Sequence, residues 1–107
     1  MNKETIVEWA EQYPLYLSLS LQEQNHIVYC LGRLASAYEA KSTAELGHFL
    51  EAVAKDSFTD ALTIADKLNL KCIYLYAMFL NNMLPMDWRE VFKQWKNKKL
   101  NHLINMD

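Results

Sequence analysis

The feature that most limits how this chain can fold is a helix-start signature that recurs along it. In a capping box, a Ser, Thr or Asp stands just before the helix and a Glu or Gln follows three residues later, so that each side chain satisfies a backbone N–H of the other residue. Apolar residues at helical spacing follow each occurrence, which predicts a chain of consecutive helices. The signatures read Ser20-Leu-Gln-Glu23, Ser42-Thr-Ala-Glu45, Asp87-Trp-Arg-Glu90 and, in a weaker form, Ser57-Phe-Thr-Asp60.

Glycine is scarce, which removes several classes of functional site. Only Gly32 and Gly47 occur among the 107 residues, and both lie inside helical patterns. Glycine-rich phosphate loops, type I′ hairpins and nucleophile elbows all need glycine at defined positions. The sequence therefore excludes those devices as the basis of an activity.

The apolar spacing predicts an all-α fold, a compact bundle or a short α-hairpin array of five to six helices. A chain of this length forms one core, so we expect a single helical domain over residues 1–107. Short connections favour antiparallel neighbours. The predicted helices cover Lys3–Tyr13, Leu21–Ala40, Thr43–Ala54, Phe58–Leu68, the stretch from Lys67 to a stop at Pro85, and a last helix after Asp87.

The run from Cys72 to Leu80 is uninterruptedly apolar. It is too short for a membrane helix, which needs about 20 such residues, and a strand is disfavoured because Ile73 is its only β-branched residue. We expect a central buried helix. Tyr74 and Tyr76 would point roughly 200° apart on it, so each hydroxyl needs water, a polar neighbour or a partner, and homodimerisation through this region would meet that need.

The cysteines and histidines form no metal-site pattern. Cys30 and Cys72 each lie in an apolar run, which predicts buried thiols and not a disulfide framework. Glu23, His26 and Cys30 share one helix face, but the apolar neighbours of Cys30 disfavour the thiolate that catalysis needs. We therefore expect no metal, no cofactor and no enzymatic activity. The amphipathic N-terminus lacks the features of a secretory or transit peptide, which predicts a cytoplasmic protein.

Three glutamates define one candidate binding surface. Glu4, Glu8 and Glu11 fall on the outer face of the first predicted helix, within a half of the chain (residues 1–66) that carries ten acidic and four basic side chains. Such a row is often simply a solvated face. It can also bind a basic protein, because complementary charge accelerates association.

A second candidate surface combines aromatic and basic residues towards the C-terminus. Tryptophan, tyrosine and arginine are enriched in interface hot spots, and a basic amphipathic helix can also contact nucleic acid. Nucleic-acid binding is disfavoured because the whole chain is acidic, with a pI of about 5.9. The residues of this surface are Tyr74, Tyr76, Trp88, Arg89, Trp95, Lys96, Lys98 and Lys99.

These patterns favour a small, non-enzymatic, cytoplasmic protein that binds another protein. Its size and acidic N-terminal part are typical of an inhibitor, an immunity-type protein or a chaperone-like adaptor. The alternative is a nucleic-acid-associated regulator that uses the basic C-terminal helix. A second copy of the chain is a further candidate partner, and membrane insertion is not expected.

Overall fold

The computed structural model of the protein describes residues 1–94, and every regular element in that range is a helix. The predicted all-α fold is confirmed. The predicted number of five to six helices is wrong, because this part of the chain alone contains eight. They are α1 (Lys3–Ala10), α2 (Pro14–Leu17), α3 (Leu21–Ala40), α4 (Gly47–Ala54), α5 (Phe58–Ile64), α6 (Lys67–Lys71), α7 (Ile73–Met83) and α8 (88–94).

A proline accounts for one additional helix. The first helix is predicted to reach Tyr13, but α1 ends at Ala10, and Tyr13 is extended, with φ −106° and ψ 122°. A residue before proline avoids the α conformation, because the proline ring would clash with its backbone. Pro14 then begins α2, since the first position of a helix needs no backbone N–H.

An aspartate divides the helix predicted over 58–68. Ala65 is extended, with φ −67° and ψ 137°, so α5 stops before it. The side chain of Asp66 then accepts a hydrogen bond from the backbone N–H of Asn69 at 2.8 Å. This is the cap of a new helix, α6, which was not predicted as a separate element.

The stretch predicted as one helix from 67 to 85 is interrupted once. Cys72 leaves the helical conformation, with φ −99° and ψ 12°, and separates α6 from α7. Leu84 is extended because it precedes Pro85, which ends α7 as predicted. The apolar run is therefore helical, and a strand is not formed.

The longest helix within residues 1–94, α3, has the predicted bounds. The hydroxyl of Ser20 accepts from the backbone N–H of Glu23 at 3.2 Å, and the Glu23 carboxylate accepts from the backbone N–H of Ser20 at 2.9 Å. Both bonds of the capping box are present. Lys41 ends the helix in the left-handed conformation, with φ 55°, a common way to satisfy the last carbonyls.

The second predicted capping box does not form. Beyond the left-handed residue Lys41, the Ser42 hydroxyl accepts a hydrogen bond from the backbone N–H of Ala44 at 3.2 Å. It does not accept the bond from the backbone N–H of Glu45 that a capping box requires. The helix predicted from Thr43 therefore begins four residues later, at Gly47, whose φ of +77° suits glycine.

The apolar face of α7 lies in the centre of the fold, and the helix predicted there is a buried one. Its core residues are Leu75, Tyr76, Phe79 and Leu80. It packs against α4 and α6, while α4 also contacts α3 and α5, and α1 packs on α3. No helix within residues 1–94 combines the length and apolar character that crossing a membrane would require.

Candidate functional site

The acidic face, defined as Glu4, Glu8 and Glu11, lies on the exposed side of α1. The same helix turns its apolar residues to the core, so the carboxylates point into solvent as predicted. None of them belongs to an ion pair within residues 1–94. The ion pairs in that range join the Met1 amino group with Glu39, Lys55 with Glu51, and Arg89 with Asp56.

Tyr76 faces the core and cannot meet a partner. Its side chain is completely buried, and its hydroxyl donates a hydrogen bond to Oδ1 of Asn69 at 2.7 Å. Burial, followed by the neighbouring Cys30 thiol, raises the pKa of Tyr76 far above its ordinary value. The polar partner that a buried tyrosine needs is therefore supplied by the chain itself.

Tyr74 lies on the opposite side of α7 and is 54% exposed. Its ring contacts that of Tyr13 edge-on, with 6.0 Å between the ring centroids. The centroid of the Tyr13 ring in turn lies 4.9 Å from the centroid of the Trp9 ring. Because Tyr13 follows α1 by three residues, this contact places Tyr74 near the C-terminal end of α1.

The residues predicted to form a C-terminal binding surface do not lie together at the surface of the protein. Trp88 is buried, with 2% of its surface exposed. Arg89 is engaged within the chain: its Nε donates to Oδ2 of Asp56 at 2.9 Å, and its guanidinium lies 4.4 Å from the centre of the Trp88 ring. The other predicted residues, Trp95, Lys96, Lys98 and Lys99, lie outside the described residues.

Both cysteine side chains lie in the core of the fold. Cys30 and Cys72 are free and buried, and burial raises the pKa of each thiol. Nε2 of His26 lies 3.6 Å from Sγ of Cys30, but the raised pKa keeps the thiol protonated near neutral pH. Glu23 caps α3 through Ser20 and so does not orient the imidazole. In the described part of the chain, no three potential metal ligands come together.

A groove that the sequence did not predict runs along α3. It has a volume of about 680 Å³ and lies between α3, the start of α1 and the connection from α3 to α4. Apolar residues from all three segments line it: Ile6, Val28, Gly32, Ala37 and Leu46. A volume of this size is typical of small-molecule sites, which span roughly 300–1,000 Å³.

Two basic side chains of the described residues line this groove. The Arg33 guanidinium donates to the backbone carbonyl of Glu45, and its central carbon lies 5.8 Å from the centre of the Tyr29 ring. These contacts hold its position without neutralising its charge. Lys3 lines the groove from α1 and has no partner within residues 1–94.

A glycine inside α3 is the one sequence signal that could have revealed the groove. Gly32, Ser36 and Ala40 follow one another at intervals of four residues, which places small side chains on one helix face. Such a stripe exposes a shallow channel, but only tertiary packing determines whether another element fills it. Here α1 and residues 42–46 flank the stripe, and no other described residue fills it.

No protein-family model, no curated protein and no solved structure matches this chain. Its function is therefore inferred from its own residues and their arrangement.

Proposed function

We propose that this protein binds a basic partner protein through a surface made of the acidic face and the Tyr13–Tyr74 pair. The observation that carries the proposal is the contact between these two rings, because it holds an exposed aromatic residue against the segment that follows the row of exposed carboxylates. Charge would steer the partner to this surface, and the tyrosine would anchor it. The role that fits is that of a non-enzymatic inhibitor, immunity-type protein or chaperone-like adaptor.

The acidic face weakens α1, which supports a role in binding. Glu4 and Glu8 are four residues apart, and Glu8 and Glu11 are three apart, so each pair repels along one helix face. Such like-charged pairs each destabilise a helix by about 0.2–0.5 kcal/mol. A basic partner would relieve this repulsion, whereas no cation within residues 1–94 pairs with these carboxylates.

Tyr74 has the rigid support expected of an anchor residue. A row of ring contacts leads from it through Tyr13 and Trp9 to Phe79 in the core, with 5.4 Å between the last two centroids. A tyrosine held in this way loses little conformational freedom on binding.

Two observations favour this function over the alternatives. A second copy of the chain would bring two acidic faces together, and a nucleic acid would bring phosphates against carboxylates, so like charge opposes both. The buried thiols of Cys30 and Cys72 remain protonated, which favours binding over thiol chemistry. Free thiols also suit the reducing cytoplasm, which we propose as the location.

The proposal is tested by a matched pair of charge reversals in the full chain. Glu8→Lys changes the acidic face, and Glu90→Lys makes the same change at an exposed glutamate on α8. Proteins retained by immobilised wild type are identified by mass spectrometry, with the product of the neighbouring gene tested first, and each is then purified for titration. Retention of a basic protein that is lost with Glu8→Lys and kept with Glu90→Lys supports the proposal. Equal retention by both variants contradicts it.

A further inference from the structure

The groove along α3 is a second candidate site, and it does not depend on the surface proposed above. Its floor runs from Asn25 to Ala40, and at about 1.5 Å per residue this is a length of roughly 22 Å. The groove is therefore long enough for an extended chain laid along α3.

The walls of the groove favour a hydrocarbon chain over an extended peptide. A bound peptide needs hydrogen-bond partners for its backbone, which it commonly finds along the edge of a sheet. Two of the three flanking segments are helices, whose own backbone groups are bonded internally, and no strand occurs within residues 1–94. An acyl chain needs no such partners and gains from the apolar floor.

Gly32 keeps this floor open, and the fold does not otherwise require it. A Cβ atom at this position would lie 3.8 Å from Cδ1 of Ile6, an ordinary van der Waals contact. The packing of α1 on α3 would thus accept alanine. Glycine within a helix is less stable than alanine, so its benefit lies in the space that it leaves in the groove.

The charges of the groove indicate the head group of the ligand. Residues 1–66 carry only four basic side chains, and two of them, Lys3 and Arg33, line this groove. Among the described residues of the lining, the one acidic residue is Glu45, whose backbone carbonyl accepts a hydrogen bond from Arg33. An otherwise acidic half of the chain therefore presents cations beside an apolar channel, which is the arrangement that complements a carboxylate.

We propose that the groove binds a long-chain fatty acid, with its acyl chain along α3 and its carboxylate paired with Lys3 and Arg33. Both features of the ligand are needed: the apolar chain matches the floor, and the carboxylate matches the cations.

Myristate is the probe, titrated calorimetrically into the delipidated full chain, and tetradecanol is the matched ligand without charge. We expect saturable binding of one myristate per chain, and binding of tetradecanol weaker by about tenfold. Ser36→Phe places a ring in the groove from an exposed position and should weaken myristate binding by about tenfold or more. Ala40→Phe is a second blocking variant, used if the first alters the circular dichroism spectrum.

A pair of lysine reversals tests the role of charge. Lys3→Glu should weaken myristate binding roughly fivefold, while Lys67→Glu, at an exposed lysine of α6 outside the groove, should leave it unchanged. Absence of saturable binding, equal binding by the folded blocking variants, or equal losses in both lysine variants would overturn the proposal. Glu8→Lys should bind myristate like wild type, so a failure here is distinct from a failure of the acidic-face proposal.

Discussion

The ring of Tyr13 lies edge-on to that of Tyr74, with 6.0 Å between the centroids and 72° between the planes. This contact joins the segment after α1 to the beginning of α7, although the two residues are far apart in the sequence. One tyrosine of α7 thus lies at the surface against the segment after α1, while Tyr76, on the other side of the same helix, lies in the core. The two tyrosines therefore have different roles, and substitutions can separate them.

Removing the hydroxyl of Tyr76 should destabilise the fold. Tyr76→Phe leaves Oδ1 of the buried Asn69 without its donor, and an unsatisfied buried polar atom costs about 1–3 kcal/mol. Tyr74→Phe changes a half-exposed ring and should alter the free energy of unfolding by less than about 0.5 kcal/mol. Urea denaturation followed by circular dichroism measures both values. Equal stability of the two variants would contradict the assigned hydrogen bond.

Reversing the central charge of the acidic face should stabilise the protein while weakening partner binding. In Glu8→Lys, two repulsive pairs become attractive ones, with Glu4 and with Glu11, which predicts a gain of about 0.8–2 kcal/mol at low salt. The gain should shrink as salt screens the charges. Thermal unfolding at two salt concentrations tests this, with Glu90→Lys as the control that should bring no gain. A loss of stability in Glu8→Lys would mean that these carboxylates have an attractive partner in the chain.

Replacing Thr43 by valine is expected to stabilise the fold. Its side chain is 1% exposed, and its hydroxyl has no hydrogen-bond partner among the described residues. Thr43→Val removes this buried polar group at nearly constant shape, so unfolding should cost about 1 kcal/mol more. Thr63→Val is the matched control: Thr63 is exposed and its hydroxyl donates to the carbonyl of Thr59 at 3.0 Å, so little change is expected. Destabilisation by Thr43→Val would show that the hydroxyl has a partner.

Alkaline pH should destabilise the fold through the buried thiols. Burial raises the pKa of Cys30 and of Cys72 in the native state, so the unfolded chain loses these protons first as the pH rises. Stability should be nearly constant up to the ordinary thiol pKa of about 8.5 and then fall, by at most about 1.4 kcal/mol per pH unit for each thiol. Above about pH 10, Tyr76 adds to the loss.

The double variant Cys30→Ala, Cys72→Ala isolates the thiol contribution. Its stability is lower at neutral pH because the side chains are buried, but it should decline less steeply than wild type between pH 8.5 and pH 10. Urea denaturation across this range gives both slopes. Parallel curves would show that the thiols do not cause the loss.

Sequence patterns predicted those parts of the fold that depend on neighbours in the chain. The bounds of α3 follow from its own capping box and its apolar spacing. The box at Ser42 and Glu45 has the same pattern but does not form, because the left-handed turn at Lys41 and the burial of Thr43 are determined by packing. Local spacing could not reveal that competition.

In the candidate site too, the sequence predicted the features of a single helix but not those that depend on how helices pack together. The acidic face is a property of one helix, so the spacing of its glutamates was enough to predict its exposure. The position of Tyr74 beside Tyr13 depends on how α1 lies relative to α7, which no local pattern describes. Trp88 illustrates the converse, since the features that make tryptophan frequent in interfaces also suit the core in which it lies.

The most direct test of the acidic-face proposal is the dissociation constant of the purified partner for wild type, Glu8→Lys, Tyr74→Ala and Glu90→Lys, measured at low and at high salt. We predict that Glu8→Lys and Tyr74→Ala each weaken binding roughly tenfold and that Glu90→Lys changes it little. High salt should weaken the binding of wild type more than the binding of Glu8→Lys. Dissociation constants that are equal for Glu8→Lys and Glu90→Lys, with the same salt dependence as wild type, would contradict the account.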